Sequence, residues 1–199
     1  PADPEYVYPL NVLETENESQ RELVASGVIS IFKKLYGNVS WGPRLEHILR
    51  NAVLTLVNTP DSNLADIVAI LTDKSYRQKV VAQLKNQTLI NFWKNEFDRM
   101  DDKFQQEAIS PILNKVGQFI SSTKIRNTIA HPKSKIRIEE IMNQKKILIA
   151  DLSTGKLGED NSALLGAMLI TQIQLSAMNR VFQSQDERSD FYLYVDEFQ

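Results

Sequence analysis

The residues best suited to chemistry gather near the C-terminal end of the sequence. Phe191-Tyr192-Leu193-Tyr194-Val195 runs directly into Asp196-Glu197. A buried strand delivering two carboxylates at its end suits nucleotide chemistry. One carboxylate can hold Mg2+, directly or through its water. The adjacent one can orient or deprotonate an attacking water. The same pattern also arises wherever an apolar strand meets an acidic turn, so alone it leaves a structural role open. A second candidate is the loop Ser153–Asp160, which contains Ser153-Thr154-Gly155-Lys156-Leu157-Gly158. It invites comparison with a phosphate cradle, but the pattern G-x-x-x-x-G-K-[ST] is absent. The only Gly-Lys is Gly155-Lys156, and position 150 holds Ala. A flexible strand-to-helix connection explains that loop equally well.

Composition narrows the other possibilities. The chain has 199 residues, 42% hydrophobic and 24% charged, enough for one large or two small cores and unlike a disordered chain. It has no cysteine, which excludes disulfides, thiol nucleophiles and thiolate-bound metals. Imidazole comes only from His47 and His131, far apart in sequence. His131, beside Pro132, reads as a structural loop residue rather than a general base. No apolar run approaches the roughly 20 residues that span a bilayer, and no signal-peptide pattern opens the chain. A net charge of −2 argues against a generally basic nucleic-acid binder.

The charge is uneven, however. Pro1–Glu22 carries six acids and one base, whereas Lys124–Lys146 carries seven bases and two acids. Lys133, Lys135 and Arg137 form the centre of a candidate patch for DNA phosphates or an acidic partner; a solvated surface is the alternative. Arg44, Arg50 and Arg126 are open to the same two readings, phosphate contact or ion pairing. Trp41, Phe92, Trp93 and Phe97 could stack on bases, but aromatics at helical spacing more commonly build a core.

The elements that must position these groups change character once. Up to about Asn143 the pattern is helix after helix. A first helix is predicted from Ser19, with Ser19 and Glu22 as a capping box, to Gly37-Asn38. Pro43 opens the next, which Thr59-Pro60-Asp61 ends. Helices over Leu64–Leu71, Lys74–Lys85 and Leu89–Arg99 follow. Then comes a longer one, from Asp102 to Ile120, with a kink or break predicted at Pro111. A short helix to Ala130 and turns over Ile138–Met142 complete the series. Lys146–Leu152 is continuously apolar, as expected of a strand buried on both faces. A helix over Ser162–Phe182 and a second buried strand, Phe191–Val195, follow. Strand, helix, strand implies a parallel βαβ unit. Both strands then end on one sheet edge, where open α/β sheets bind ligands. The expected fold class is mostly α with an α/β part.

Several segments in order resemble one family. Lys145–Asn161 (KKILIADLSTGKLGEDN) with Ser162–Gly166, Trp41-Gly42-Pro43-Arg44 with Leu45–Asn51, Ser121–Asn127 before His131-Pro132-Lys133-Ser134, and Tyr192–Gln199 (YLYVDEFQ) look like the TraG/TraD-type conjugative coupling ATPases and their HerA-like relatives. The similarity runs from about Tyr8 to Gln199. It implies a RecA-like P-loop motor with an all-α domain inserted between phosphate loop and Walker B strand. Residues 1–16 would then be a motor-core edge segment, 17–143 the inserted domain, and 144–199 a partial RecA-like core ending at Walker B. Asp196 would be the Mg2+-associated acid, acting through water, and Glu197 the catalytic glutamate.

The resemblance further implies a cytoplasmic protein, at the membrane's cytoplasmic face in the parent. The parent would work as a homo-hexameric ring using ATP and Mg2+, with DNA, relaxosome proteins and secretion-channel components as partners. Because the Walker A loop is missing, no residue here is assigned to the nucleotide phosphates, and this chain alone is expected to bind no cofactor and hydrolyse no ATP. Two other functions fit: a non-enzymatic helical adaptor for a relaxosome protein or DNA, and a piece of a HerA-like DNA helicase or translocase.

Overall fold

A computed structural model describes residues 7–15, 17–37 and 41–196. Glu197, and with it half of the carboxylate pair, lies outside the described residues. Ten α-helices are present among those described: α1 (Arg21–Tyr36), α2 (Pro43–Val57), α3 (Asp66–Thr72), α4 (Lys74–Gln83), α5 (Gln87–Asn91), α6 (Asp102–Ser121), α7 (Thr123–Ile129), α8 (Ile138–Asn143), α9 (Thr154–Leu157) and α10 (Glu159–Asn179). The fold is mostly α.

Local chemistry sets most helix ends. Asn17, not Ser19, supplies the first cap: its Oδ1 accepts from the Ser19 N–H (3.0 Å) and starts a 3-10 turn leading into α1. The expected capping box does not form because that turn places Ser19 inside the helical run. Gly37 ends α1 at φ +62°, a left-handed angle that glycine tolerates. Pro43 occupies the first turn of α2. Asp73 caps α4 and Asp101 caps α6 through their carboxylates. Pro111 does not break α6. It sits on the exposed face, where water can satisfy the carbonyl its ring leaves unbonded. The segment expected as one helix over 89–99 instead passes from α5 through a π turn at Phe92–Glu96 to a 3-10 turn. That change of pitch lets Phe92, Trp93 and Phe97 all point inward.

The helices share a continuous core. α1 packs on α2 and α10, α2 on α3 and α6, and α10 also on α8 and α9. Most buried apolar residues from Leu10 to Met168 belong to one cluster. Leu164, Leu165 and Met168 of α10 therefore lie in the same core as α1 and α2, across the expected boundary near residue 143. Close approach of α1 and α10 depends on Gly27, where a Cβ would lie 2.9 Å from Thr171 Cγ2.

The N-terminal segment is also bound into this body. Buried Asn11 is fully partnered: its backbone N–H donates to Ser134 Oγ (2.9 Å), its amide to the carbonyls of Ser62 (2.8 Å) and Pro132 (2.9 Å), and its Oδ1 accepts from Leu13 N–H (3.0 Å). Leu10, Val12 and Leu13 are buried beside it.

Both segments expected as buried strands depart from expectation. Among the described residues there is no strand. Residues 146–152 and 191–195 run without helix or ladder, and Ile147 is 90% and Ile149 88% exposed. Burial on both faces requires neighbouring strands and a second layer, and no described element supplies either. Single residues of both segments are nevertheless seated. Leu148 and Phe191 pack on a small cluster of Ile138, Met142 and Ile173 from α8 and α10, and Leu152 packs on the main core.

Candidate functional site

Asp196 occupies an exposed turn directly after 191–195. Exposure along this segment alternates: Tyr192 is 71% and Tyr194 88% exposed, against 50% for Leu193 and 46% for Val195. Only Phe191, at the start of the segment, packs against the helices. The described chain contributes one carboxylate here. Mg2+ in nucleotide sites is commonly held by one or two carboxylates plus substrate phosphates. Asp196 fits that role only with phosphate oxygens brought by a nucleotide, and among the described residues no cluster of three metal-ligating side chains exists.

The Ser153–Asp160 loop is occupied by its own contacts. Lys156 N–H and Leu157 N–H both donate to Ser153 O (3.1 and 3.2 Å), and Gly158 N–H donates to Thr154 O (2.7 Å). Those amides are turned inward into α9 and do not form a cradle. The Lys156 ammonium donates to Asp151 Oδ2 at 2.5 Å. That bond, with a smaller contribution from Ser153, holds the Asp151 carboxyl below the usual carboxylate range and raises the Lys156 ammonium. Lys124 Nζ braces the loop by donating to Lys156 O (3.0 Å), and the Gln118 amide donates to Asp160 (2.7 Å).

The basic segment is partly neutralised where it stands. Lys133 lies between Glu14 (3.7 Å) and Asp61 (3.8 Å), and Arg137 pairs with Glu140 (2.8 Å). Lys135 anchors the chain through its backbone N–H, which donates to Pro9 O (2.9 Å). All three side chains remain exposed. Glu14 of the acidic N-terminal segment therefore meets the basic segment in space, which their separation in sequence concealed.

The aromatics divide as a core reading expects. Trp93, Phe97 and Phe92 are buried, and the Trp93 indole N–H donates to Thr55 Oγ1 (2.8 Å). Trp41 is half-buried and donates to Glu46 Oε2 (2.7 Å). Glu46 also accepts from Arg50 (3.0 Å) and Lys33 (3.2 Å). Trp41 first, then Arg50 and Lys33, push its carboxyl down to about 2. The ion-pairing alternative thus holds for Arg50, while Arg44 stacks on Phe104 at 4.5 Å. The Glu46–Arg50 pair was legible as an i, i+4 spacing on α2. Arg77 was not singled out by its sequence context. It is buried, bonded to Asp98 (2.8 Å) and to Ile70 O (3.0 Å), and sits over Phe97 at 5.0 Å. It is a structural tie rather than a site.

The geometry defines a helical protein with extended apolar segments either side of α10. Among the described residues no helix is long and apolar enough to cross a membrane. No family model matches the chain, and neither a curated protein nor a solved structure matches it.

Proposed function

We propose that this chain is part of an ATP-driven DNA translocase, a coupling protein that feeds DNA with its relaxase to a type IV secretion channel. The observation that carries this reading is the placement of Asp196. It is an exposed acid at the end of an apolar segment whose first residue, Phe191, packs against α8 and α10. Residues 146–152 rest on the same cluster. Segment, helix, segment seated this way suits a partial RecA-like layer whose remaining strands come from elsewhere. In that reading Asp196 holds Mg2+ through water, Glu197 directs the attacking water, and ATP phosphates are held by a phosphate loop outside this sequence. DNA, relaxosome proteins and channel components are the partners, and the working form is a homo-hexameric ring on the cytoplasmic side.

The test is ATP hydrolysis by a chain extended through the coding sequence preceding Pro1. DNA-stimulated, Mg2+-dependent turnover is expected, falling about 100-fold or more in Glu197→Gln and in Asp196→Asn. The present chain alone should show none. Unchanged turnover in both variants overturns the assignment, as does robust hydrolysis by the present chain.

A second reading, the helical adaptor, is favoured by the continuous core from Leu10 to Met168. It makes the helices a self-contained body able to present a partner surface without nucleotide. Relaxosome or DNA binding by the chain alone, with no ATPase in the extended form, would select it over the motor.

A further inference from the structure

The helix α10 changes character along its length. Residues 163–170 carry no polar side chain, whereas Gln172, Ser176 and Asn179 then recur at spacings of four and three, along one face of the helix. Gln183, just past the 3-10 turn that follows, continues the row. All four line a groove of about 540 Å3, whose other walls come from residues 11–24 and 134–139. Ligand sites commonly measure about 300–1,000 Å3.

The groove sets carboxamides beside aliphatic surface. Val24 and Ile138, both buried, supply the apolar part. From opposite walls Gln20 and Asn179 form a reciprocal pair: the Gln20 amide donates to Asn179 Oδ1, and the Asn179 amide donates to Gln20 Oε1 (3.1 Å). The Gln172 amide donates to a main-chain carbonyl, Val12 O (3.3 Å). A carboxamide offers a donor and an acceptor together, the same pair that each peptide unit presents. The row therefore suits peptide groups, as Gln172 already demonstrates. From Gln172 to Gln183 it spans about 17 Å, the reach of about five residues of extended chain. Main-chain hydrogen bonds along such a row give affinity, and apolar surface beside it selects a side chain.

Charge favours a polypeptide over a nucleic acid. Glu14, Glu18 and Glu139 line the groove with one guanidinium, Arg137, which pairs with Glu140 (2.8 Å). Glu14 and Glu18 have basic partners of their own in Lys133 and Arg21. The lining thus holds no surplus of positive charge for phosphates to meet, and it disfavours acidic side chains.

We propose that this groove binds an extended polypeptide segment of about five residues, with an aliphatic side chain at its centre, through main-chain hydrogen bonds to Asn179 and Gln183. This goes beyond the motor reading and stands without it, since the groove needs neither nucleotide nor ring.

The probes are blocked, fluorescein-labelled pentapeptides with leucine at the centre and serine, threonine, glutamine or lysine elsewhere, titrated with the chain in fluorescence anisotropy. Members of this set should bind, and aspartate at the centre should abolish binding. Methylating the main-chain nitrogens of the best binder should also abolish it, because the donors are lost while the side chains remain. Gln183→Ala and Asn179→Ala should each weaken binding about fivefold with helical circular dichroism unchanged. Glu107→Ala, exposed on α6 and outside the groove, should leave it as it was. If Asn179→Ala loses helix through its broken pair with Gln20, Gln183→Ala decides. No binding by any member at millimolar peptide overturns the proposal. So does equal binding of the methylated peptide, an affinity unmoved by Gln183→Ala, or displacement of the peptide by oligothymidylate, which would make this a nucleic-acid groove. Absence of ATPase in the extended protein bears only on the motor reading and leaves these readouts unmoved.

Discussion

Gly27 of α1 faces Thr171 of α10 so closely that a Cβ on the glycine would lie 2.9 Å from the threonine Cγ2. This contact joins the helical body to the helix between the two extended segments. It sets local propensity against packing. Alanine is preferred to glycine within a helix by about 1 kcal/mol, while an extra carbon in a filled interface costs about 1–3 kcal/mol. We expect Gly27→Ala to be destabilising by about 1 kcal/mol net in urea denaturation. Thr171→Ser, which removes the opposing methyl, should restore part of that loss in the double variant. A Gly27→Ala chain stabilised by the full propensity gain would show that the helices separate freely here.

Thr55 and Trp93 form a buried hydrogen-bonded pair in the core. Thr55→Val keeps the shape but leaves the indole N–H without a partner, which should cost about 1–3 kcal/mol. In the Trp93→Phe background the same substitution should cost much less. Equal costs in both backgrounds would show that the hydrogen bond contributes nothing.

Stability should fall at both extremes of pH for identifiable reasons. Glu46 has a carboxyl lowered from 4.5 to about 2, so its contribution is complete above 4.5 and is lost as pH falls toward 2. Tyr36 and Tyr76 are raised from 10.0 to about 12, chiefly by burial, with Asp160 and Asp66 respectively adding to it. Their contribution is complete below 10 and is lost as pH rises toward 12. Phenolate absorbance from Tyr36 and Tyr76 should develop only as pH rises from 10 toward 12. Glu46→Gln should flatten the acid limb alone. If the absorbance change lost in Tyr36→Phe and Tyr76→Phe is already complete at pH 10, or the acid limb is unchanged in Glu46→Gln, this account is contradicted.

Lys133, Lys135 and Arg137 are the residues through which DNA binding by the helical body can be tested. Charge reversal at all three in the upstream-extended protein should weaken DNA binding, and the log–log salt slope should drop by about 0.9 for each phosphate no longer neutralised. Because Lys133 already lies between Glu14 and Asp61 and Arg137 pairs with Glu140, these pairs should reduce the share of each. Binding and salt slope both unchanged would remove this patch from the interface.

The sequence by itself determined the succession of helices, because that information is local. Pro43, Asp73, Asp101 and Gly37 act on the backbone next to them, and apolar spacing marks the inward face of α1 and α2 without reference to distant residues. It also placed Phe92, Trp93 and Phe97 in a core. Tertiary structure decided what depends on residues far apart. Asn11 holds the loops at Ser62 and Pro132, Glu14 near the N-terminus meets Lys133, and α10 joins the core of α1 and α2. Period and composition identified 146–152 and 191–195 as apolar and predicted buried strands there, but no strand forms among the described residues, and strand burial is a property of neighbours. Only the arrangement of other elements could decide that Ile147 and Tyr194 face solvent, since no residue carries within itself the layer that would cover it.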